Sequence, residues 1–80
     1  MNIEDTVLKY IGDELAAGRK VEADTNLVGL IDSTAIMELV VWLESTFGFG
    51  VEIDAITPEN FGSSRLIAEF VKKNIGQNQA

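Results

Sequence analysis

The stretch that decides the fold is residues 30–48, LIDSTAIMELVVWLESTFG, in which a polar pair precedes a long apolar run. Asp32 and Ser33 are residue types preferred at helix N-termini, and Gly48 is typical of a helix end. Successive residues of a helix are rotated by about 100°, so the apolar positions of this run fall on one arc. The sequence predicts a helix over residues 32–47 whose core face consists of Ile36, Leu39, Val40, Leu43 and Phe47.

Two apolar residues of the same helix fall outside that arc. Met37 and Val41 lie close to Glu38 and Glu44, whereas Trp42 lies at the opposite edge of the core face. Met37 and Val41 are therefore candidates for exposed apolar side chains on an acidic face, and the alternative is that they are peripheral core residues.

Further helices are predicted on both sides of this segment. Ile3, Val7, Ile11 and Leu15 recur at helical spacing, which indicates a helix over residues 3–17 that ends at Gly18. Residues 19–32 have no clear period, and a structureless stretch of this length in so short a chain is typically functional. Its apolar residues are expected to hold this loop against the core: Leu27, Leu30 and Ile31.

The second half of the chain predicts a short helix and a long one. Thr57 and Pro58 are suited to the N-cap and first position of a short helix that ends at Phe61, and Ser63 or Ser64 is suited to cap the last helix. The predicted fold class is therefore all-α, a small four-helix bundle with three main helices, one short helix and a long loop between helices 1 and 2.

Composition restricts the function classes. The chain has 80 residues, 46% of them hydrophobic, and its formal net charge is −7. Such a charge disfavours binding to nucleic acid and to anionic membranes, and it favours protein partners with basic patches. No apolar run approaches the ~20 residues of a membrane span, and the acidic N-terminus is unlike a signal peptide. We expect a cytoplasmic monomer.

The sequence gives little support to catalysis or metal binding. It contains no His and no Cys, the residues used most often as general base and as strong nucleophile. Asp24, Asn26, Gly29 and Asp32 match part of a calcium-binding EF-hand loop. Ligand positions are lost, however, at Val28 and Ala35, so we expect no metal site. Because His and Cys are absent, we also expect no enzymatic activity.

The Asp32-Ser33 pair permits two interpretations. In the first interpretation one of these residues is needed only as a helix cap, although Ile36 occupies the position where a capping box would have Glu or Gln. Alternatively, the free N–H groups and positive dipole end of the helix could accommodate a phosphodiester on an exposed serine.

The chain resembles the acyl carrier protein family, including its aminoacyl and peptidyl members, over residues 3–73. The resemblance rests on segments with the family's spacing: residues 29–33 (GLIDS), Glu38-Leu39, Leu43-Glu44, Phe47-Gly48, Ile53, residues 56–61 (ITPENF) and residues 67–71 (IAEFV). It implies a carrier domain at residues 1–75, followed by a flexible tail at 76–80.

The resemblance also implies the chemistry. Ser33, within the motif that includes Asp32, would carry covalent 4′-phosphopantetheine, transferred from coenzyme A by a phosphopantetheinyl transferase. The arm would hold an acyl or aminoacyl thioester and present it to partner enzymes. Those partners would be an acyl- or aminoacyl-activating ligase, or an acyltransferase, with a basic docking patch.

Two groups of residues are candidates for recognition. The expected partner-docking residues are Thr34, Met37, Glu38, Val41 and Glu44, and the expected acyl pocket comprises Leu43, Ile56, Phe61 and Ile67. Thr34, Ala35, Ser45 and Thr46 depart from the residues common in fatty-acid carriers, which favours a carrier in a specialised pathway. The alternative is a protein-interaction or regulatory module with a carrier-like fold and no prosthetic group, in which Ser33 is only a cap.

Overall fold

The computed structural model describes residues 2–16 and 18–78, with side chains up to residue 76. Helix α1 spans Ile3–Tyr10 and continues as a π-helical segment over Ile11–Leu15. Helix α2 spans Ser33–Phe47, a 3₁₀ turn spans Ile53–Ala55, α3 spans Pro58–Phe61, and α4 spans Ser64–Asn78. The predicted bundle of three main helices and a short one is confirmed.

Local sequence explains most helix ends. The side chain of Asn2 accepts a hydrogen bond from the N–H of Asp5, which caps α1. Gly48 adopts a left-handed conformation, with φ +74°, and ends α2 as predicted. Thr57 caps α3, and Pro58 occupies its first turn, also as predicted.

Helix α4 extends beyond the predicted domain boundary. It continues through Asn78, three residues past residue 75, while residues 79 and 80 lie outside the described part of the chain. The division into a carrier domain at 1–75 and a flexible tail at 76–80 stays a prediction.

The core lies where α1, α2 and α4 meet, with α3 packed against α4. All five residues predicted for the core face of α2 take part: Leu39, Val40 and Leu43 are buried in this cluster, and Ile36 and Phe47 pack against it. The buried apolar side chains of the cluster are Val7, Ile11, Leu27, Ile31, Leu39, Val40, Leu43, Phe49, Phe61, Ile67 and Val71. Among the described residues, no helix combines the length and apolar character needed to cross a membrane.

Candidate functional site

The start of α2 presents Ser33 to solvent. Asp32 is extended, with φ −90°, and its Oδ1 accepts a hydrogen bond of 2.8 Å from the N–H of Ala35. Asp32 is therefore the N-cap, and Ser33 is the first helical residue, with an exposed side chain. The alternative in which Ser33 serves as the cap is wrong, because the carboxylate one residue earlier already performs that task.

A tight turn in the preceding loop positions this helix start. The N–H groups of Leu30 and Ile31 both donate to the carbonyl of Leu27, at 3.0 and 3.2 Å. Gly29 adopts φ +88°, a conformation that a side chain would strain. Leu27 and Ile31 are buried as predicted, so the turn is anchored on both sides of Gly29.

The same loop is bound to the junction between α3 and α4. The N–H of Leu27 donates to the carbonyl of Gly62 at 2.8 Å, and the N–H of Arg65 donates to the carbonyl of Ala23 at 3.0 Å. The Arg65 guanidinium also forms an ion pair with the carboxylate of Asp24. These contacts fix the loop without covering Ser33.

The oxygens of the partial EF-hand pattern have other partners. Oδ1 of Asn26 accepts from the N–H of Val28 at 3.0 Å, Asp24 pairs with Arg65, and Asp32 caps α2. Within residues 2–16 and 18–78, no group of three or more potential ligands could hold a metal ion.

An open cleft of about 230 Å³ lies beside Ser33. Its walls are mainly apolar and come from the loop, the first turns of α2 and the segment leading into α3. Ser33 lines this cleft together with Leu27, Val28, Gly29, Ile31, Asp32, Ile36, Ile56, Thr57, Pro58 and Phe61. Two of the predicted pocket residues, Ile56 and Phe61, thus lie next to Ser33.

The other two predicted pocket residues lie elsewhere. Leu43 and Ile67 are fully buried, pack in the core and do not line the cleft. Helical spacing indicated correctly that both face inward, but it could not distinguish the closed core from a cleft at its edge.

The outer face of α2 forms a second, shallow concavity of about 600 Å³. It brings together four of the predicted docking residues, Thr34, Met37, Glu38 and Val41. Met37 is 49% exposed and Val41 is 61% exposed, as the sequence predicted.

Glu44 does not line this concavity, although it was grouped with these docking residues. Its Oε2 accepts a hydrogen bond of 2.8 Å from the N–H of Val51, and its side chain is half-buried. The left-handed turn at Gly48 and the burial of Phe49 bring the chain back over the end of α2. Glu44 therefore stabilises the connection after α2.

Two aromatic residues that the docking prediction omitted complete the concavity. The rings of Tyr10 and Trp42 are stacked, with centroids 4.1 Å apart and planes 8° apart. Burial, followed by the charges of Glu38 and Glu14, raises the pKa of the Tyr10 hydroxyl above its ordinary value. The position of Trp42 at the edge of the core arc was the signal available from the sequence.

Three features meet at this site. An exposed hydroxyl lies at a helix start, beside an apolar cleft and next to an acidic, partly apolar helix face. Since the sequence contains no His, the commonest general base is absent from the chain.

Comparison with known proteins agrees with this geometry. No protein-family model matches the chain. The chain is 30% identical over 77 residues to the D-alanyl carrier protein of Abiotrophia defectiva, and the match covers 91% of this chain and 96% of that relative. The chain is a helical bundle with an exposed Asp-Ser helix start, and a carrier protein matches it over almost its full length. It therefore belongs to the acyl carrier protein family.

Proposed function

We propose that this protein carries an aminoacyl group as a thioester on a 4′-phosphopantetheine arm attached to Ser33. The observation that carries the proposal is the exposed Ser33 side chain at the first position of α2, with the capping hydrogen bond supplied by Asp32 instead. Because the serine hydroxyl is not needed as the cap, it is free to be modified without loss of the helix start.

The residues present fit such a group. The first N–H groups of a helix lack partners within the helix and favour a negatively charged phosphodiester. The cleft beside Ser33 offers apolar surface from Ile56, Pro58 and Phe61 to the uncharged part of an arm. When bound, the group supplies the thiol that forms the thioester, and the protein supplies position and recognition.

The attachment step balances with coenzyme A as the donor. Oγ of Ser33 attacks the phosphorus that bears the pantetheine, a new O–P bond forms, and the bond to the second phosphate breaks. Adenosine bisphosphate leaves with its electron pair. The hydroxyl proton passes to a general base of the transferase.

Two observations support a small cargo. The cleft beside Ser33 has a volume of about 230 Å³, and Leu43 and Ile67, which do not line it, are fully buried in a packed core. The name of the Abiotrophia defectiva relative specifies a D-alanyl group. We therefore propose an amino acid of this size as the cargo, loaded by an aminoacyl-activating ligase with a basic docking patch.

The proposal is tested by incubating the purified chain with coenzyme A and a broad-specificity phosphopantetheinyl transferase, followed by intact mass measurement. We expect one phosphopantetheine per chain, lost entirely in Ser33→Ala. Thr46→Ala is the matched control, because Thr46 is also an exposed hydroxyl residue of α2, lines neither the cleft nor the concavity on α2, and its loss should leave the modification intact. An unmodified wild-type chain would instead favour an interaction module without a prosthetic group, whereas equal modification of Ser33→Ala would place the arm on another residue and overturn the assignment of Ser33.

A further inference from the structure

The stacked rings of Tyr10 and Trp42 join two concavities of the surface. One is the concavity on α2 described above, and the other, of about 290 Å³, lies on the side of α1. Tyr10 and Trp42 line both. The exposed face of α2 is therefore continuous with part of α1 through an aromatic pair.

The aromatic pair is held in place from below. Trp42 also contacts the ring of Phe47 edge-on, with centroids 5.8 Å apart, and all three rings pack against the core. Directly after Tyr10 the helix widens, and the N–H of Ala16 donates to the carbonyl of Ile11 at 2.8 Å, five residues earlier. The partly exposed edges of Tyr10 and Trp42 thus form a fixed apolar platform.

The charge around this platform is acidic. Lys9 and Asp13 also line the α1 concavity, but they form an ion pair with each other at 3.0 Å. Glu14 on α1 and Glu38 on α2 remain, one in each concavity. Each of these carboxylates lines its concavity together with Tyr10 and Trp42, so both lie near the platform.

We propose that the transferase that modifies Ser33 docks across α2 onto α1, with an apolar side chain on the Tyr10–Trp42 platform and a basic side chain facing Glu14 and Glu38. Val41 and Met37 extend the apolar contact towards Thr34, the neighbour of Ser33. A second copy of this chain is a poor occupant, because two molecules of charge −7 would bring acidic faces together. The inference rests on the proposed modification of Ser33.

Charge-reversal variants test the contribution of α1. Glu14→Lys and Glu38→Lys should each lower kcat/KM for modification of Ser33 about tenfold, because attraction to a basic side chain of the transferase is replaced by repulsion. The change should lie in KM, with kcat retained, and it should shrink as ionic strength rises. Glu52→Lys is the matched control, since this exposed acid changes the net charge equally but lines neither concavity.

The outcomes separate this inference from the proposed function. If Glu14→Lys is modified as efficiently as Glu52→Lys, docking does not reach α1 and the inference fails, while the modification of Ser33 stands. If the wild-type chain is not modified at all, the proposed function fails. Thermal melts of each variant identify any loss of folding, and Glu14→Gln then provides a milder test in which the decrease should be smaller.

Fluorine NMR gives a direct measure of contact. The chain has one Trp, so fluorotryptophan labelling yields a single resonance, that of Trp42. Adding transferase without coenzyme A should shift or broaden this resonance in both wild type and Ser33→Ala. An unchanged resonance overturns the inference, as does an equal change produced by raising the concentration of the carrier alone, which would indicate self-association.

Discussion

Helices α2 and α4 begin with the same local arrangement but present their serines differently. Asp32 precedes Ser33, and Ser63 precedes Ser64. In α2, Oδ1 of Asp32 accepts from the N–H three residues later at 2.8 Å, and in α4, Oγ of Ser63 accepts from the N–H of Leu66 at 3.2 Å. The two serines that follow these caps nevertheless differ in exposure. Ser33 is exposed, whereas Ser64 is only 2% exposed.

The difference comes from the loop between α1 and α2. Its carbonyl at Ala23 lies 3.5 Å from Oγ of Ser64 and also accepts from the N–H of Arg65, so the loop covers the start of α4. The same loop then turns at Gly29 and leaves the start of α2 open. A serine at a helix start is thus a common feature, and the path of a distant segment decides whether an enzyme can reach it.

A buried charge should give the largest contrast between the two helix starts. Ser64→Asp should lower the free energy of unfolding by about 3 kcal/mol or more, because it places a carboxylate without a prepared partner in a closed site. Ser33→Asp, at the equivalent exposed position, should change it by less than about 0.5 kcal/mol. Urea denaturation followed by circular dichroism measures both, and equal losses would contradict the assigned exposures.

Gly62 offers a test of the close packing at the junction between α3 and α4. A Cβ atom on Gly62 would lie 2.5 Å from the carbonyl oxygen of Pro58, and backbone cannot move as easily as a side chain tip. Gly62→Ala should therefore cost about 2 kcal/mol of stability, as overpacking does.

The matched control for this substitution is Gly50→Ala, since a Cβ atom there meets nothing within 4 Å. Differential scanning calorimetry of both variants makes the comparison. A midpoint for Gly62→Ala that equals that of Gly50→Ala would show that the α3–α4 junction is looser than described.

The smallest contrast concerns the caps themselves. Asp32→Ala and Ser63→Ala should each cost about 1 kcal/mol, because each removes the acceptor for an N–H of the first turn. Ser33→Ala should cost less than about 0.5 kcal/mol, since Ser33 is not the cap. If chemical denaturation gives Ser33→Ala the larger cost, the assignment of Asp32 as cap is wrong.

Features decided by nearby residues could be predicted from the sequence. The apolar arc, the polar start and the glycine end of α2 all lie within residues 32–48, so its bounds and its core face were predicted correctly. The exposure of Met37 and Val41 followed from the same helical geometry.

Features decided by distant contacts could not be predicted. From the sequence, Ser63 and Ser64 are equally suited to cap α4. In the structure Ser63 is the cap, and the loop that packs on α4 buries Ser64. Glu44 resembled a docking acid because its partner, the N–H of Val51, becomes available only after the chain turns back at Gly48.

The π-helical end of α1 was a further unpredicted feature. Apolar residues at Ile3, Val7, Ile11 and Leu15 recur every four positions, and such a row drifts around an α-helix of about 3.6 residues per turn. A wider turn at Ile11–Leu15 corrects part of that drift and keeps Leu15 against the core. The four-residue spacing alone does not distinguish a π-helical turn from a gradual bend of the whole helix.

The contact between Ala23 and Ser64 spans 41 residues of sequence, which has a consequence for the order of folding. Helices α1 and α2 can form from local contacts. Closing so long a segment has an entropic cost, and this cost is offset only by the contacts of the completed α3–α4 junction. The turn that presents Ser33 should therefore become ordered late, after the last helix has docked. If Ser33 is modified as proposed, the transferase should therefore act on chains whose last helix has already docked.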